Sequence, residues 1–311
     1  MNETRRRVLE ELADGPVTGP EIADALDVSR AAVWKHVEAL RDAGFEIESR
    51  TDGYELVDVT GYNGPTIEYG LEAPFTIEYH ETIASTNDRA RELAAEGAED
   101  VVVLANEQTG GRGRLDRRFD SPPGGVWVSI VCRPDIPPVR APLFTLAGAV
   151  AIARAVREVG VDARIKWPND VVVPVGEDGE YRKLAGILTE MEGEADRVTW
   201  LIVGTGINAD IASEELPEGA TSVRDEVGPF DRRVFVQRLL ETFHEYRDLE
   251  GVLEDWRDLS LTLGQRVRVE LPDGEIEGDA VEIADGGALV VETEDDRVQV
   301  SAGDCEHLRP T

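Results

Sequence analysis

The chain has 311 residues, enough for two or three domains and at least one sizeable core. It carries 64 Asp and Glu against 32 Lys and Arg, a formal net charge of −32, which points to a cytosol of very high salt where carboxylate repulsion is screened. Two distant cysteines exclude a disulfide framework, the start Met-Asn-Glu has no apolar signal region, and no run approaches the length of a membrane span, so a soluble, cytoplasmic protein with no membrane partner is expected.

Residues 1–60 read as helix, helix, turn, helix and hairpin. A first helix over about residues 4–13 breaks at Asp14-Gly15-Pro16. A second opens at Pro20, which is tolerated at a helix start, and puts Ile22, Ala23 and Leu26 on one face. After a tight turn at Asp27-Val28, Ser29 is a natural N-cap for a helix over residues 30–43, ended by Gly44. Val33, Val37 and Leu40 form its buried stripe, so Arg30, Ala31, Trp34 and Lys35 face outward. Two alternating runs around Arg50-Thr51-Asp52-Gly53 supply a wing. This is the pattern of a winged helix-turn-helix, which enters the major groove through the N-terminal residues of its second helix. Ser29, Arg30, Ala31, Trp34 and Lys35 are therefore the candidate DNA-binding residues. Residues 1–58 hold seven basic and fourteen acidic side chains, yet no acid lies from Ser29 to Val37. The competing reading is a three-helix module for protein contact.

Residues 61–260 mix strands and helices and read as one α+β domain. Strands are predicted at residues 77–80, 101–105, 125–132, 171–175, 182–188 and 199–203, and helices at 140–159 and 231–249. The last helix carries Val234, Leu239, Leu240, Phe243 and Tyr246 on its apolar side. In residues 261–311, short alternating segments at 266–271, 275–283, 288–293 and 297–300 are separated by turn signals and predict a small SH3-like β-barrel.

The chemistry concentrates in the middle of the chain. Gln108-Thr109-Gly110-Gly111-Arg112-Gly113-Arg114 follows an apolar strand and interleaves glycines with guanidinium groups, a loop suited to phosphate or carboxylate. It is not a Walker A loop; a mobile charged turn is the plainer alternative. Ser85, Thr86 and Asn87 open a helix whose apolar positions include Ala90, Leu93 and Ala94, and three exposed polar residues are more than a cap requires. Lys166-Trp167-Pro168-Asn169-Asp170 gathers an ammonium, an amide and a carboxylate on a proline turn. In Lys183-Leu184-Ala185-Gly186-Ile187-Leu188 the small pair lets a ligand lie against the backbone. Gly204-Thr205-Gly206-Ile207-Asn208 follows a strand but lacks the third glycine of a dinucleotide fingerprint. The chain has three lysines, Lys35, Lys166 and Lys183, all within these motifs or the outward helix face. Where lysine is so depleted, each survivor is expected to do what arginine cannot, namely act as a compact point charge. The histidines show no metal spacing, and no metal site is expected.

Taken in this order, the five motifs resemble those of biotin–protein ligases. The winged helix and terminal barrel match the family's bifunctional members, which also repress biotin operons. The resemblance implies a central mixed-sheet domain of the class II synthetase-like kind shared by biotin and lipoate ligases. It implies a reaction in which biotin and ATP with Mg²⁺ give biotinyl-5′-AMP, and the acyl group then passes to one lysine of a biotin carboxyl carrier domain. By the same resemblance Ser85, Thr86, Asn87 and Gln108 surround the ureido ring, while Arg112, Gly113 and Arg114 order over carboxylate and phosphates. Lys183 neutralises charge between the two reacting anions. Lys166, Asn169, Asn208 and Arg309 serve ATP. Asp170 is the motif carboxylate best placed to accept the acceptor lysine's proton. Operator DNA and a ligand-promoted homodimer are the further partners implied. Two departures stand out: Leu115-Asp116-Arg117-Arg118-Phe119 replaces a second Arg-Gly-Arg and tryptophan, with Phe119 left as the aromatic wall, and Ala220-Thr221-Ser222 lacks an aromatic to cover adenine. A biotin-sensing transcription factor without transfer activity, and a lipoate ligase, are the alternatives.

Overall fold

In the N-terminal unit, side-chain caps decide where helices begin. The computed structural model describes residues 1–114, 117–176, 180–272 and 274–308, and divides into compact units Met1–Glu72 and Ala73–Thr311. Asn2 accepts from the Arg5 N–H and starts α1 (Glu3–Leu12). A capping box between Thr18 and Glu21 starts α2 (Gly19–Leu26), and Asp27 ends it in the left-handed region at φ 52°. Ser29 accepts from the Ala32 N–H and starts α3 (Arg30–Asp42), as expected. The wing is the hairpin of β1 (Phe45–Arg50) and β2 (Gly53–Val59), followed by a short α4 (Gly64–Glu68) that the periodicity does not reveal. Leu9, Leu12, Ile22, Val37, Leu40 and Phe45 fill the core between these elements.

The second unit is organised by a seven-stranded mixed sheet. Its elements in chain order are β3 (Thr76–Ile83), α5 (Thr86–Ala95), β4 (Val101–Gln108), β5 (Val126–Cys132), α6 (Pro142–Glu158), β6 (Arg164–Lys166), β7 (Asp170–Val175), β8 (Glu180–Gly193) and β9 (Val198–Ile207). The strands run in the order β3-β4-β5-β9-β8-β7-β6, with β3 and β4 parallel and every other neighbour antiparallel. α5 packs Ala90 and Ala94 on Val103, Val131, Trp200 and Ile202. α6 takes the opposite face, where Gly148 lies against Val203 and Ile187. The apolar segment Pro138–Glu158 has the length and mean composition of a membrane-crossing helix, but 72% of its apolar window is buried inside the fold, as in a core helix.

α7 (Val223–Val227), α8 (Arg232–Glu245) and α9 (Val252–Leu259) follow, the first and last unforeseen in the sequence. Val234 is 40% exposed rather than part of the apolar side of α8. The inward stripe is Phe235, Val236, Leu239, Leu240 and Phe243, which leaves Val234 on the polar face with Arg238 and Glu241. The C-terminal strands β10 (Arg266–Leu271), β11 (Gly274–Ile283), β12 (Leu289–Glu292), β13 (Arg297–Val300) and β14 (Asp304–His307) form an antiparallel sheet ordered β13-β12-β11-β10-β14. Trp167, fully buried, keys this sheet to the central one: its backbone N–H donates to Thr262 Oγ1 at 3.0 Å and its indole N–H to the Gly287 carbonyl at 3.2 Å.

Candidate functional site

The site begins as a depression in the central sheet. Gly186 pairs with Gly206 and Leu188 with Gly204, so three glycines share the sheet face opposite α6. A Cβ at Gly204 would lie 2.1 Å from Asn87 Oδ1, and one at Gly206 would lie 2.6 Å from Phe119 Cε1. Glycine at these positions keeps the floor low enough for side chains from α5 and the arginine loop to close over it. The cavity above is about 520 Å³, within the range of small-molecule sites. Phe119 lines it and rests edge-on against buried Trp127, with ring centres 5.9 Å apart, so the aromatic wall is in place.

The wall formed by the start of α5 and the end of β4 presents uncharged polar groups. Ser85 caps α5 by accepting from the Asp88 N–H at 3.2 Å. Gln108 Oε1 accepts both the Thr86 N–H (2.8 Å) and its hydroxyl (3.0 Å), which draws the end of β4 onto the start of α5. Ser85, Thr86 and Asn87 line the cavity but are only 6%, 4% and 8% exposed, not the open donors and acceptors expected from the sequence. Packing of α5 on the sheet turns them inward, where they bond Asp88, Gln108, Ser129 and Glu190.

The cavity also carries cations, each with an internal partner. Lys183 Nζ sits 2.7 Å from Asp170 Oδ1. Arg112 pairs with Asp88 at 2.6 Å. Arg114 donates to Asn169 Oδ1 (3.2 Å) and to the Gly303 carbonyl (3.1 Å), and Arg117 pairs with Asp304 at 2.5 Å. The arginine loop is thus strapped to the turn before β14. It is also folded back on itself: Gly113 N–H donates to the Arg117 carbonyl, and Phe119 N–H to that of Gly111. A Cβ at Gly111 would lie 2.5 Å from the Phe119 carbonyl oxygen, so this hairpin needs glycine there. Burial of Asp88 opposes its ionisation, but hydrogen bonds from Arg91 and Arg112 prevail and hold its carboxyl below the usual range.

Ser85, Thr86, Asn87, Gln108, Arg112, Gly113, Arg114, Asn169, Asp170 and Lys183 therefore meet around one cavity. Two expected ATP residues do not line it. Lys166 donates to the Cys305 carbonyl at 2.5 Å and lies 5.5 Å over the Tyr181 ring, so its ammonium joins the two sheets. Asn208, 8% exposed, donates to the Thr221 carbonyl at 3.0 Å and fixes the chain beside Lys183. Arg309 and Asp116 lie outside the described residues. Sequence reasoning missed Glu190, Ser129 and Asp304. Glu190 was accessible to it, being in period-two register with Gly186 and Leu188. Burial raises the Cys132 and Cys305 thiols to about 12 and about 11, so neither is a ready nucleophile. Among the described residues, no cluster of three or more His, Cys, Asp or Glu is arranged to hold a metal ion.

A mixed sheet with a glycine floor walled by neutral polar groups and by cations is a site built for a small ligand that carries negative charge. Residues 79–208 match the Biotin/lipoate A/B protein ligase family, residues 262–308 the Biotin protein ligase C terminal domain, and residues 4–55 an HTH domain. The chain is 36% identical to the bifunctional ligase/repressor BirA of Bacillus subtilis (strain 168), over 98% of this chain and 99% of that one. It is also 36% identical to the biotin–[acetyl-CoA-carboxylase] ligase of Mycobacterium tuberculosis, over 72% of this chain and 86% of that one. The biotin protein ligase from Aquifex aeolicus in complex with biotin and ATP has a similar structure, with TM-score 0.61 and 26% identity over 75% of this chain and 99% of that one. The chain belongs to the biotin–protein ligase family, in its bifunctional ligase/repressor branch.

Proposed function

We propose that biotin lies on the glycine floor with its ureido ring at Ser85, Thr86, Asn87 and Gln108, and that its carboxylate meets ATP among Lys183, Arg112 and Arg114. The supporting observation is the lining of the cavity: uncharged hydrogen-bonding groups at Ser85, Thr86, Asn87 and Gln108, together with the cations Lys183, Arg112 and Arg114. A carboxylate oxygen attacks the α-phosphorus, pyrophosphate leaves, and the cations offset repulsion between two anions. In the second step the amine of a carrier-domain lysine attacks the mixed anhydride and AMP leaves. The amine must be neutral to attack, and Asp170 is the carboxylate at the reacting end that takes its proton. Lys183 turns from Asp170 to the phosphate in step one, which frees Asp170 for step two. Arg114 and Asn169 serve the ATP side; Lys166 and Asn208 are positioning residues.

The carboxylates at the cavity are already engaged: Asp88 with Arg112, Asp170 with Lys183, Asp304 with Arg117, and Glu190 with Arg91 and Asn87. This donor set does not fit a resident cation, and Mg²⁺ enters on the triphosphate as part of the substrate.

The N-terminal unit reads operator DNA through α3. Arg30, Ala31, Trp34 and Lys35 are all exposed, Trp34 at 55%, and neither Arg30 nor Lys35 pairs with a carboxylate among the described residues. In a chain this acidic, two uncommitted cations beside an open indole mark a contact surface. Ligand-promoted dimerisation supplies two such heads to a palindromic site. The acidic surface suits a cytoplasm of high salt.

The test is to mix purified protein at high salt with biotin, ATP, Mg²⁺ and a biotin carrier domain. Labelling of one acceptor lysine supports the reading. Adenylate formation without transfer favours a sensor, and use of lipoate in place of biotin favours the lipoate alternative.

A further inference from the structure

Beneath the ureido end lies a chain of polar contacts that can be followed proton by proton. Glu190, on the cavity face of β8, is a pure acceptor pinned by Arg91. Asn87 Nδ2 donates to Glu190 Oε1 at 2.8 Å, which fixes the amide and turns Oδ1 the other way. That oxygen meets the hydroxyl of Ser129 at 2.6 Å. Ser129 is fully buried on β5, directly opposite Gly204. It has one proton, and an amide oxygen can only accept, so the proton goes to Asn87. The 2.8 Å contact between Ser129 and Thr86 then leaves Ser129 Oγ as the acceptor. The Thr86 proton has two takers, Ser129 Oγ and Gln108 Oε1, and both are protein atoms.

Whichever of the two takes the Thr86 proton, the bonds from Ser129 run one way, through Asn87 to Glu190. Thr86 and Asn87 keep only lone pairs for a ligand. Ser85 is the complement: its oxygen already accepts the Asp88 N–H, and its own proton remains to be given. This end of the cavity is set to receive two N–H groups and to donate to one carbonyl, which is the pattern of a cyclic urea.

We infer that Ser129 is a positioning residue for substrate recognition, and that with Glu190 it forms a buried relay orienting Thr86 and Asn87 as acceptors for ligand N–H groups. This rests on the ureido placement proposed above. Neither residue reacts; both select ligands with paired N–H donors over those without.

The experiment is calorimetric titration of the full chain with biotin and, separately, with lipoic acid, whose ring has no N–H. Ser129→Ala should weaken biotin binding about tenfold, the loss typical of one neutral hydrogen bond. Lipoic acid binding should not change, and Ser129→Thr, which keeps the hydroxyl, should recover most of the biotin affinity. Glu190→Gln, whose amide no longer fixes Asn87, should give a similar loss. The double variant should lose little more than either single one, because both break the same relay. Should Ser129→Ala fail to fold, Glu190→Gln and Ser129→Thr carry the test. Unchanged biotin affinity, additive losses or equal weakening of lipoic acid would overturn the relay. Wild-type protein that does not bind biotin would instead overturn the ureido placement.

Discussion

Replacing Lys183 by arginine keeps the charge and should nevertheless stop the first half-reaction. The backbone of Lys183 is clamped: its N–H donates to the Gly219 carbonyl at 2.8 Å, and its carbonyl accepts the Thr221 N–H at 2.9 Å. The side chain passes over Gly186, where even an added Cβ would come within 3.3 Å of Nζ, and ends 2.7 Å from Asp170. A guanidinium starting from the same fixed backbone reaches further and presents a planar fork. The nearest fork-matching group is the Asp170 carboxylate itself, so the charge becomes locked in a bidentate pair and withdrawn from the reacting oxygens.

Losing one preorganised contact to developing charge costs on the order of 10²–10³ in rate, about 3–4 kcal/mol. The ion pair contributes little to stability, because the Lys183 and Asp170 side chains are 40% and 22% exposed; the substitution should change unfolding free energy by less than about 1 kcal/mol. The assay is biotin-dependent exchange of pyrophosphate into ATP at saturating biotin, with urea unfolding run in parallel. Near wild-type exchange by Lys183→Arg would refute the argument that a point charge is required. A large drop in stability would show that the loss of rate came from the fold.

Three further outcomes follow from the same geometry. Asp170→Asn should still form biotinyl-5′-AMP but transfer it slowly, with a deficit that shrinks as pH rises toward the lysine's own pKa of about 10.4; equal loss in both half-reactions, measured by single-turnover labelling, would assign Asp170 a structural role. His307 is held neutral, its pKa pushed down to about 4 by burial and then by the charge of Lys166, so the unfolded chain takes up a proton below 6.5 that the folded chain refuses until about 4. Stability should therefore fall as pH drops through that window, by about 1 kcal/mol at pH ~5.5 after allowance for partial exposure, and His307→Gln should lack this increment when urea midpoints are compared with those at neutral pH. Lys35→Ala should weaken operator binding near molar salt, where counterion release contributes little; indifference to the change would favour protein contact for the winged helix.

Much of the frame was legible because its signals are local. Ser29 caps α3 and Val33, Val37 and Leu40 bury its stripe, since a cap and a period of 3.6 are written within one helix. The cavity motifs were legible as residue types, and most of them converge. Lys166 and Asn208 stand off the cavity because the groups that claim them, the Cys305 and Thr221 carbonyls, are set by tertiary packing; for Lys166 the partner lies 139 residues away. Asp304 was invisible for the same reason, being joined to Arg117 across 187 residues. Ser129 carries no signal at all in an apolar strand: it reads as a tolerated serine until the register places it opposite Gly204 and under Asn87.

The depletion of lysine and the pairing within the cavity bear on one physical problem. Arg112, Arg114, Arg117 and Lys183 crowd one cavity, and their mutual repulsion is offset by Asp88, Asp304 and Asp170. On the placement proposed above, an anionic substrate entering this cavity exchanges one ion pair for another instead of neutralising bare cations. In the mechanism proposed above, the carboxylate freed when Lys183 turns to the phosphate, Asp170, is the one that takes the amine's proton. Such an exchange also depends less on bulk salt than the meeting of two free charges, because the number of paired charges is the same before and after. A chain with net charge −32 can thus bind two anions without a basic surface, provided that its few cations are held ready by carboxylates that substrate displaces.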